Sequence, residues 1–217
     1  MKKKLSFPSV FFGVFFHPRE TVKKVIKQKY YSFVMPFIVF YTLVAGFDPM
    51  LILVLSKYVP FLVALPLVVF LMALIGFGSF YLSAWLIFRI GKNFGGKGKL
   101  QPIQAAFALA YSPILMGCIL KFLVEIPNWY KFFSNMDNLS SISAADLQSI
   151  NSLASLPVII FCIWMLFPWI INISEAHQYS KWKAFKTHLT IVGIFFAVFA
   201  VLAVVGLILL LILRSLA

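Results

Sequence analysis

Hydrophobic residues occur along this chain in long uninterrupted runs, which are separated by short segments rich in lysine. Five runs approach or exceed the roughly 20 residues that a helix needs to cross about 30 Å of hydrocarbon. Within the runs the apolar residues are continuous and do not alternate with polar ones, so they predict helices and not the strands of a barrel. The five predicted spans lie at about residues 30–47, 61–90, 102–124, 152–174 and 187–213.

Prolines and small residues inside the runs predict how the helices bend and pack. Pro66 and Pro168 should kink the second and fourth spans, because proline removes a backbone hydrogen bond. In the fifth span Gly193, Ala197 and Ala200 recur at near-helical spacing. Small residues at this spacing allow transmembrane helices to approach closely, and so they predict a packed bundle.

The composition agrees with a membrane protein and excludes several other classes. The chain has 217 residues, of which 62% are hydrophobic and 12% are charged. A soluble domain has about 45–50% apolar and about 25% charged residues. These values exclude a soluble enzyme and a disordered chain, and two cysteines are too few for a disulfide scaffold. The predicted fold class is an all-α, polytopic integral membrane protein with five transmembrane helices and an N-terminal amphipathic interfacial helix.

Residues 1–29 are predicted to form a basic interfacial segment ahead of the membrane domain of residues 30–217. The apolar run that ends at Phe16 resembles a signal peptide, but no small-residue cleavage site precedes His17, so we expect the segment to be retained. After it, Val22, Val25 and Ile26 fall on one face of a short helix that lysines flank. Such a helix is suited to lie on an anionic leaflet, although a solvated charge run is the alternative.

The charges predict how the chain is oriented in the membrane. With a cytoplasmic N-terminus and five spans, 15 of the 19 Lys and Arg residues and two of the six acidic residues lie on the inner side. The inner side then carries the whole net charge of +13. The positive-inside rule therefore predicts a multi-pass protein of the cell membrane with a cytoplasmic N-terminus and an extracytoplasmic C-terminus.

The basic inner side gives the first functional hypothesis, a membrane organiser without enzymatic activity. Clustered lysines attract anionic lipid headgroups or an acidic partner protein. A homo-oligomer or a membrane-protein partner is expected, and nucleic acid is not. The residues predicted to bind lipid or a partner are Arg19, Lys23, Lys24, Lys27, Lys97, Lys99, Lys181 and Lys183.

The alternative hypothesis is a translocator of lipid or a small solute. Polar residues gather near the inner ends of the third and fourth spans, where together they could form a groove that admits a headgroup. The residues predicted to line this groove are Gln101, Gln104, Tyr111, Ser112, Asn172, Glu175 and His177.

The sequence offers little for catalysis or a cofactor, and we expect none. Cys118 and Cys162 stand alone in apolar runs, where packing is the usual role of cysteine. Glu175, His177 and His188 would give at most a metal site of two nitrogens and one oxygen, and their spacing matches no metal pattern. The alternative role for these side chains is to cap helix ends.

Glycines and lysines alternate between the second and third spans, in the sequence Gly95-Gly96-Lys97-Gly98-Lys99. A phosphate-binding loop needs its glycines, lysine and hydroxyl in a set order after a strand, and that order is missing here. We therefore expect a flexible basic turn.

Several short motifs together resemble the Yip family, the Ypt/Rab-interacting membrane proteins and their prokaryotic relatives. They are His17-Pro18-Arg19-Glu20-Thr21-Val22, Arg89-Ile90-Gly91, Ala110-Tyr111-Ser112-Pro113 and Ser180-Lys181-Trp182-Lys183-Ala184-Phe185. The resemblance implies five spans, a cytoplasmic N-terminus and no established catalytic residues. Eukaryotic members bind small GTPases, but this chain has neither their long polar N-terminal domain nor their acidic motif. It therefore looks closer to the bacterial and archaeal branch, and GTPase binding is not carried over.

Overall fold

The computed structural model describes residues 5–45, 55, 58–134 and 156–216, and the described part of the chain contains helices and no strand. We number the eight described helices in chain order. They are α1 (Phe7–Phe16), α2 (Pro18–Gln28), α3 (Val34–Ala45), α4 (Phe61–Asn93), α5 (Leu100–Ala110), α6 (Ser112–Ser134), α7 (Leu156–His177) and α8 (Lys181–Leu216).

Four segments of the described chain are long and apolar enough to cross a membrane. They are Leu62–Asn93, Leu100–Val124, Leu156–His177 and Lys181–Ile208. Large apolar side chains on these helices face outward, which a bilayer accommodates and water does not. The all-α polytopic fold class is thus confirmed.

The first predicted span, residues 30–47, contains the shorter helix α3, which has 12 residues. It begins at Val34 because a left-handed residue, Lys29 with φ of 52°, ends α2, and a turn follows. At about 1.5 Å per residue α3 is about 18 Å long, less than the hydrocarbon thickness. The outer end of this predicted span lies outside the described residues.

The third predicted span is divided into two helices, α5 and α6, which meet at Tyr111. Pro113 has no backbone N–H and cannot donate to the carbonyl of Leu109, so the helix ladder is interrupted there. The Tyr111 amide instead shares the carbonyl oxygens of Phe107 and Ala108, at 3.3 and 3.1 Å. The predicted span 102–124 thus coincides with the apolar segment Leu100–Val124, and the turn at Tyr111 lies inside it.

Helix α5 is at the centre of the bundle and contacts α1, α2, α3, α4, α6 and α7. Four of its residues, Ala105, Ala106, Ala108 and Ala110, are fully buried. Because alanine has a small side chain, neighbouring helices approach α5 from every side.

The N-terminal helices α1 and α2 are part of this core. Val10 and Val14 of α1 and Val22 and Val25 of α2 are at most 1% exposed. Helix α2 packs along α7. The apolar face that the sequence predicted for α2 therefore contacts protein, and the lysines of this helix remain on its outer side.

The glycines of α4 and α8 differ in what surrounds them. A Cβ on Gly76 would lie 2.2 Å from the Cγ2 of Thr42, so this glycine is required for the contact between α4 and α3. A Cβ on Gly193 or Gly206 would meet no atom of the described chain within 4 Å. The predicted small-residue stripe of α8 is thus not buried within this chain.

Candidate functional site: the basic end of the bundle

Three segments that are far apart in the sequence meet at one end of the bundle. The guanidinium of Arg19 on α2 donates to the carboxylate of Glu175 on α7, and the Lys23 ammonium lies 3.6 Å from the same carboxylate. The backbone amide of Lys97, between α4 and α5, donates to the carbonyl of His177 at 2.9 Å. The N-terminal helices, the α4–α5 turn and the α7–α8 turn therefore share one end.

This end carries a dense and exposed set of cations, which we call the basic surface. Against them stand two carboxylates, those of Glu20 and Glu175, which leaves a formal charge of +10 among the described residues of this end. The basic surface consists of Arg19, Lys23, Lys24, Lys27, Lys29, Arg89, Lys92, Lys97, Lys99, Lys181, Lys183 and Lys186, all of which are exposed.

Aromatic rings accompany the cations where α4 ends and α8 begins. The Lys92 ammonium lies 4.4 Å from the ring of Phe88, and the Lys186 ammonium lies 5.7 Å from the ring of Trp182. Arg89 lies over Trp85 in the same way, at 5.5 Å. Exposed tryptophans next to Lys and Arg are typical of the membrane–water boundary.

A buried histidine connects the turns beneath the basic surface. His177 is fully buried, and its Nε2 lies 3.1 Å from the carbonyl oxygen of Ile87 on α4. Because a carbonyl only accepts, Nε2 carries the proton and donates it. The other ring nitrogen, Nδ1, has no hydrogen-bond partner. His177 thus connects the end of α7 to α4 through a carbonyl that lies within the helix, six residues before its last residue.

Glycines surround this imidazole closely. A Cβ on Gly91 would lie 2.3 Å from Nε2 of His177, and a Cβ on Gly96 would lie 2.3 Å from Nδ1. A Cβ on Gly98 would lie 2.5 Å from the carbonyl oxygen of Ala176. In the same turn Gly95 has φ of +83°, which favours glycine. The glycines that suggested a flexible turn therefore serve a close and specific contact.

Tyr179 connects the turn between α7 and α8 to the start of α8. The hydroxyl of Thr187 donates to the carbonyl of Lys183 at 2.9 Å, so the Tyr179 hydroxyl donates to Thr187 Oγ1, 3.1 Å away. Burial raises the pKa of Tyr179 to about 12, although the hydrogen bond with Thr187 opposes this shift. The phenol therefore stays neutral near pH 7 and keeps the proton that it donates.

The residues of the predicted polar groove are placed in different surroundings. Asn172 is fully buried, and its Nδ2 donates to the carbonyl of Ala106 at 3.4 Å. Ser112 is also fully buried. Tyr111 packs edge-on against the rings of Tyr41 and Phe107.

The other groove candidates differ in exposure and in their contacts. Gln101 is exposed and Gln104 is half-buried on α5, while Glu175 is engaged by Arg19 and His177 is enclosed by glycines.

The histidines do not come together. His188 packs edge-on against Trp169 with ring centroids 4.5 Å apart, His177 contacts Tyr179, and His17 lies between α1 and α2. Among the described residues no group of three or more His, Cys, Asp or Glu side chains is placed to hold a metal ion.

Fold and site together define a polytopic helical membrane protein with exposed cations gathered at one end of its bundle. The Yip1 domain profile matches residues 12–204, which is most of the chain, and the protein belongs to this family. The match confirms the resemblance carried by the sequence motifs. No curated protein and no solved structure matches the chain.

Proposed function

We propose that this Yip family protein is a non-enzymatic membrane organiser whose basic surface faces the cytoplasm and binds anionic lipid. The observation that carries the proposal is the convergence of three sequence-distant basic segments on one end of the bundle, through Arg19–Glu175 and the Lys97–His177 hydrogen bond. Random placement of exposed lysines would not gather them in this way.

The attraction between these lysines and anionic headgroups is large enough for selective binding of anionic lipid. A lysine near an anionic leaflet contributes about 1 kcal/mol. Only three cations of the basic surface lie within ion-pair distance of a carboxylate in the described structure, namely Arg19, Lys23 and Lys24. The lysines of the two inner turns are therefore well placed to contact lipid phosphates, and the adjacent tryptophans set their depth.

The predicted orientation of the chain in the membrane supports an anionic lipid as the ligand. The positive-inside rule assigns the lysine-rich end of a polytopic protein to the cytoplasm, where the leaflet is anionic. An acidic partner protein is the other ligand that this charge fits.

Lipid selectivity in reconstituted vesicles tests the proposal. Spin-labelled phosphatidylglycerol and phosphatidylcholine would be compared for the fraction of lipid immobilised by the protein. Replacing Lys97, Lys99, Lys181 and Lys183 by Gln should remove most of the preference for phosphatidylglycerol. The matched control changes the same four residues to Arg, which keeps the charge and should keep the preference. Undiminished selectivity in the Gln variant, with its fold intact, would refute lipid binding by these turns and favour a protein partner.

Translocation remains the alternative prediction. The structure adds no support for it, because Ser112 and Asn172 are enclosed by protein and Gln101 faces outward. A scrambling or uptake assay in tight vesicles decides it.

A further inference from the structure

A groove of about 480 Å³ lies between α1 and α2, apart from the two basic turns. The helices come closest at one end, where a Cβ on Gly13 would lie 2.7 Å from the hydroxyl of Thr21. The residues that line the groove include Leu5, Ser6, Ser9, Glu20 and Lys24.

The exposed surfaces of the two helices beside the groove differ in polarity, which suits the boundary between hydrocarbon and headgroups. Next to the groove, α1 exposes Phe12 at 53% and Phe16 at 78%. Exposed phenylalanines of this kind are stable in the acyl region and costly in water. The α2 wall instead carries exposed charged and amide groups. A lipid at this depth could reach both walls.

The groove carries one carboxylate and one ammonium among the residues that line it, so its formal charge is zero. Glu20 and Lys24 lie on successive turns of α2, with Oε2 and Nζ 3.9 Å apart. Both side chains are mostly exposed, so their mutual attraction is weak and a ligand can replace it. The hydroxyl of Ser6 on the opposite wall is a further donor for a phosphate, whereas that of Ser9 already donates to the Ser6 carbonyl at 2.8 Å.

This arrangement selects among lipid headgroups. An anionic headgroup would satisfy Lys24 but place its negative charge close to Glu20. A choline headgroup carries a quaternary ammonium that has no N–H for the carboxylate. A primary ammonium next to a phosphate satisfies both charges and donates hydrogen bonds to Glu20.

We propose that this groove binds the headgroup of a phosphatidylethanolamine. The ammonium lies at Glu20, the phosphate lies at Lys24 and the Ser6 hydroxyl, and the start of an acyl chain contacts Leu5. This site is separate from the anionic-lipid site of the basic turns, and it takes a zwitterionic lipid.

Native mass spectrometry of the full chain in a mild detergent tests the proposal with phosphatidylethanolamine and phosphatidylcholine of identical acyl chains. We expect a preference for phosphatidylethanolamine of about tenfold, as one charge-assisted hydrogen bond provides. Glu20→Gln should abolish this preference by weakening phosphatidylethanolamine alone. Lys24→Gln should weaken both lipids, because both carry the phosphate.

Arg214→Gln is the control, because it removes one exposed cation that lies outside both the groove and the basic surface and should change neither lipid. All three substituted residues are exposed, so thermal unfolding of the variants should match that of the original chain. Equal binding of the two lipids would overturn the proposal. A loss in Arg214→Gln as large as that in Lys24→Gln would also overturn it, since that result indicates unspecific attraction. Loss of phosphatidylglycerol selectivity in the four-lysine variant, with phosphatidylethanolamine binding retained, would show that the two sites are independent.

Discussion

Replacing Gly91 by Ala should show how strongly the buried histidine holds the basic end together. The added Cβ would lie 2.3 Å from Nε2 and 2.5 Å from Cε1 of His177. The imidazole is fully buried, so it cannot swing into solvent to relieve the overlap. Either the ring or the end of α4 must move, and the hydrogen bond to Ile87 is then lost.

The expected cost follows from three contributions. Overpacking in a filled core costs about 1–3 kcal/mol. Losing the hydrogen bond from His177 to Ile87 adds about 1 kcal/mol. Alanine stabilises a helix by up to about 1 kcal/mol relative to glycine, which offsets part of this loss. The net destabilisation of Gly91→Ala is therefore about 2 kcal/mol.

A second substitution reverses the sign of the effect. In a chain that already carries His177→Ala the overlap is absent, so Gly91→Ala should stabilise by up to about 1 kcal/mol. The coupling between the two positions is then about 3 kcal/mol, which is large for one pair of residues. Gly78→Ala in the same helix is the control, because its Cβ would meet no atom of the described chain within 4 Å.

Reversible unfolding in mixed micelles of dodecylmaltoside and sodium dodecyl sulfate, followed by circular dichroism, gives the free energies. The reasoning fails if Gly91→Ala is tolerated as well as Gly78→Ala in the original chain. It also fails if the two substitutions at positions 91 and 177 act additively.

Three further predictions follow from other contacts. Glu175→Gln removes the carboxylate that pairs with Arg19; because the arginine is mostly exposed, we expect a loss of only about 1 kcal/mol, seen as faster amide hydrogen exchange confined to α2. Asn172→Leu removes an Oδ1 that is buried and has no hydrogen-bond partner. The unfolding free energy should therefore rise or stay within about 1 kcal/mol of that of the original chain. A loss of about 3 kcal/mol would instead show that the amide is fully hydrogen-bonded. Cysteines placed at Lys97 and Lys181 should react with a membrane-impermeant maleimide from the same side in sealed vesicles, and labelling from opposite sides would contradict the shared end.

The sequence predicted the long apolar helices well because their signal is local. The second predicted span, residues 61–90, lies within α4, Phe61–Asn93, since an uninterrupted apolar run needs no distant information. The third span was harder to predict. Its apolar run continues across Tyr111, whereas the break depends on the missing amide of Pro113.

The site residues also divide into those that a local sequence pattern identifies and those that depend on contacts between distant residues. The exposure of the lysines follows from the sequence, because charge is expelled from the bilayer core. The contact between Ile87 and His177 joins residues 90 positions apart, and no local pattern shows it. The sequence signal for this contact was the pair Gly91 and Gly96, because glycines at a helix end permit another residue to approach closely. The sequence did not show that this residue is His177.

The contacts that assemble the basic end are mostly uncharged, and this has a consequence for lipid binding. Ten excess positive charges repel one another over distances comparable to the screening length of about 10 Å at 0.1 M salt. Glu175 relieves only part of this repulsion, so the burial of Val22 and Val25 and the packing of glycines around His177 must offset the rest. The surface therefore exists before any lipid arrives, and an anionic lipid that binds it removes repulsion from the folded state alone. By linkage, such a ligand stabilises the fold in proportion to its occupancy, so phosphatidylglycerol should raise the unfolding temperature more than phosphatidylcholine does.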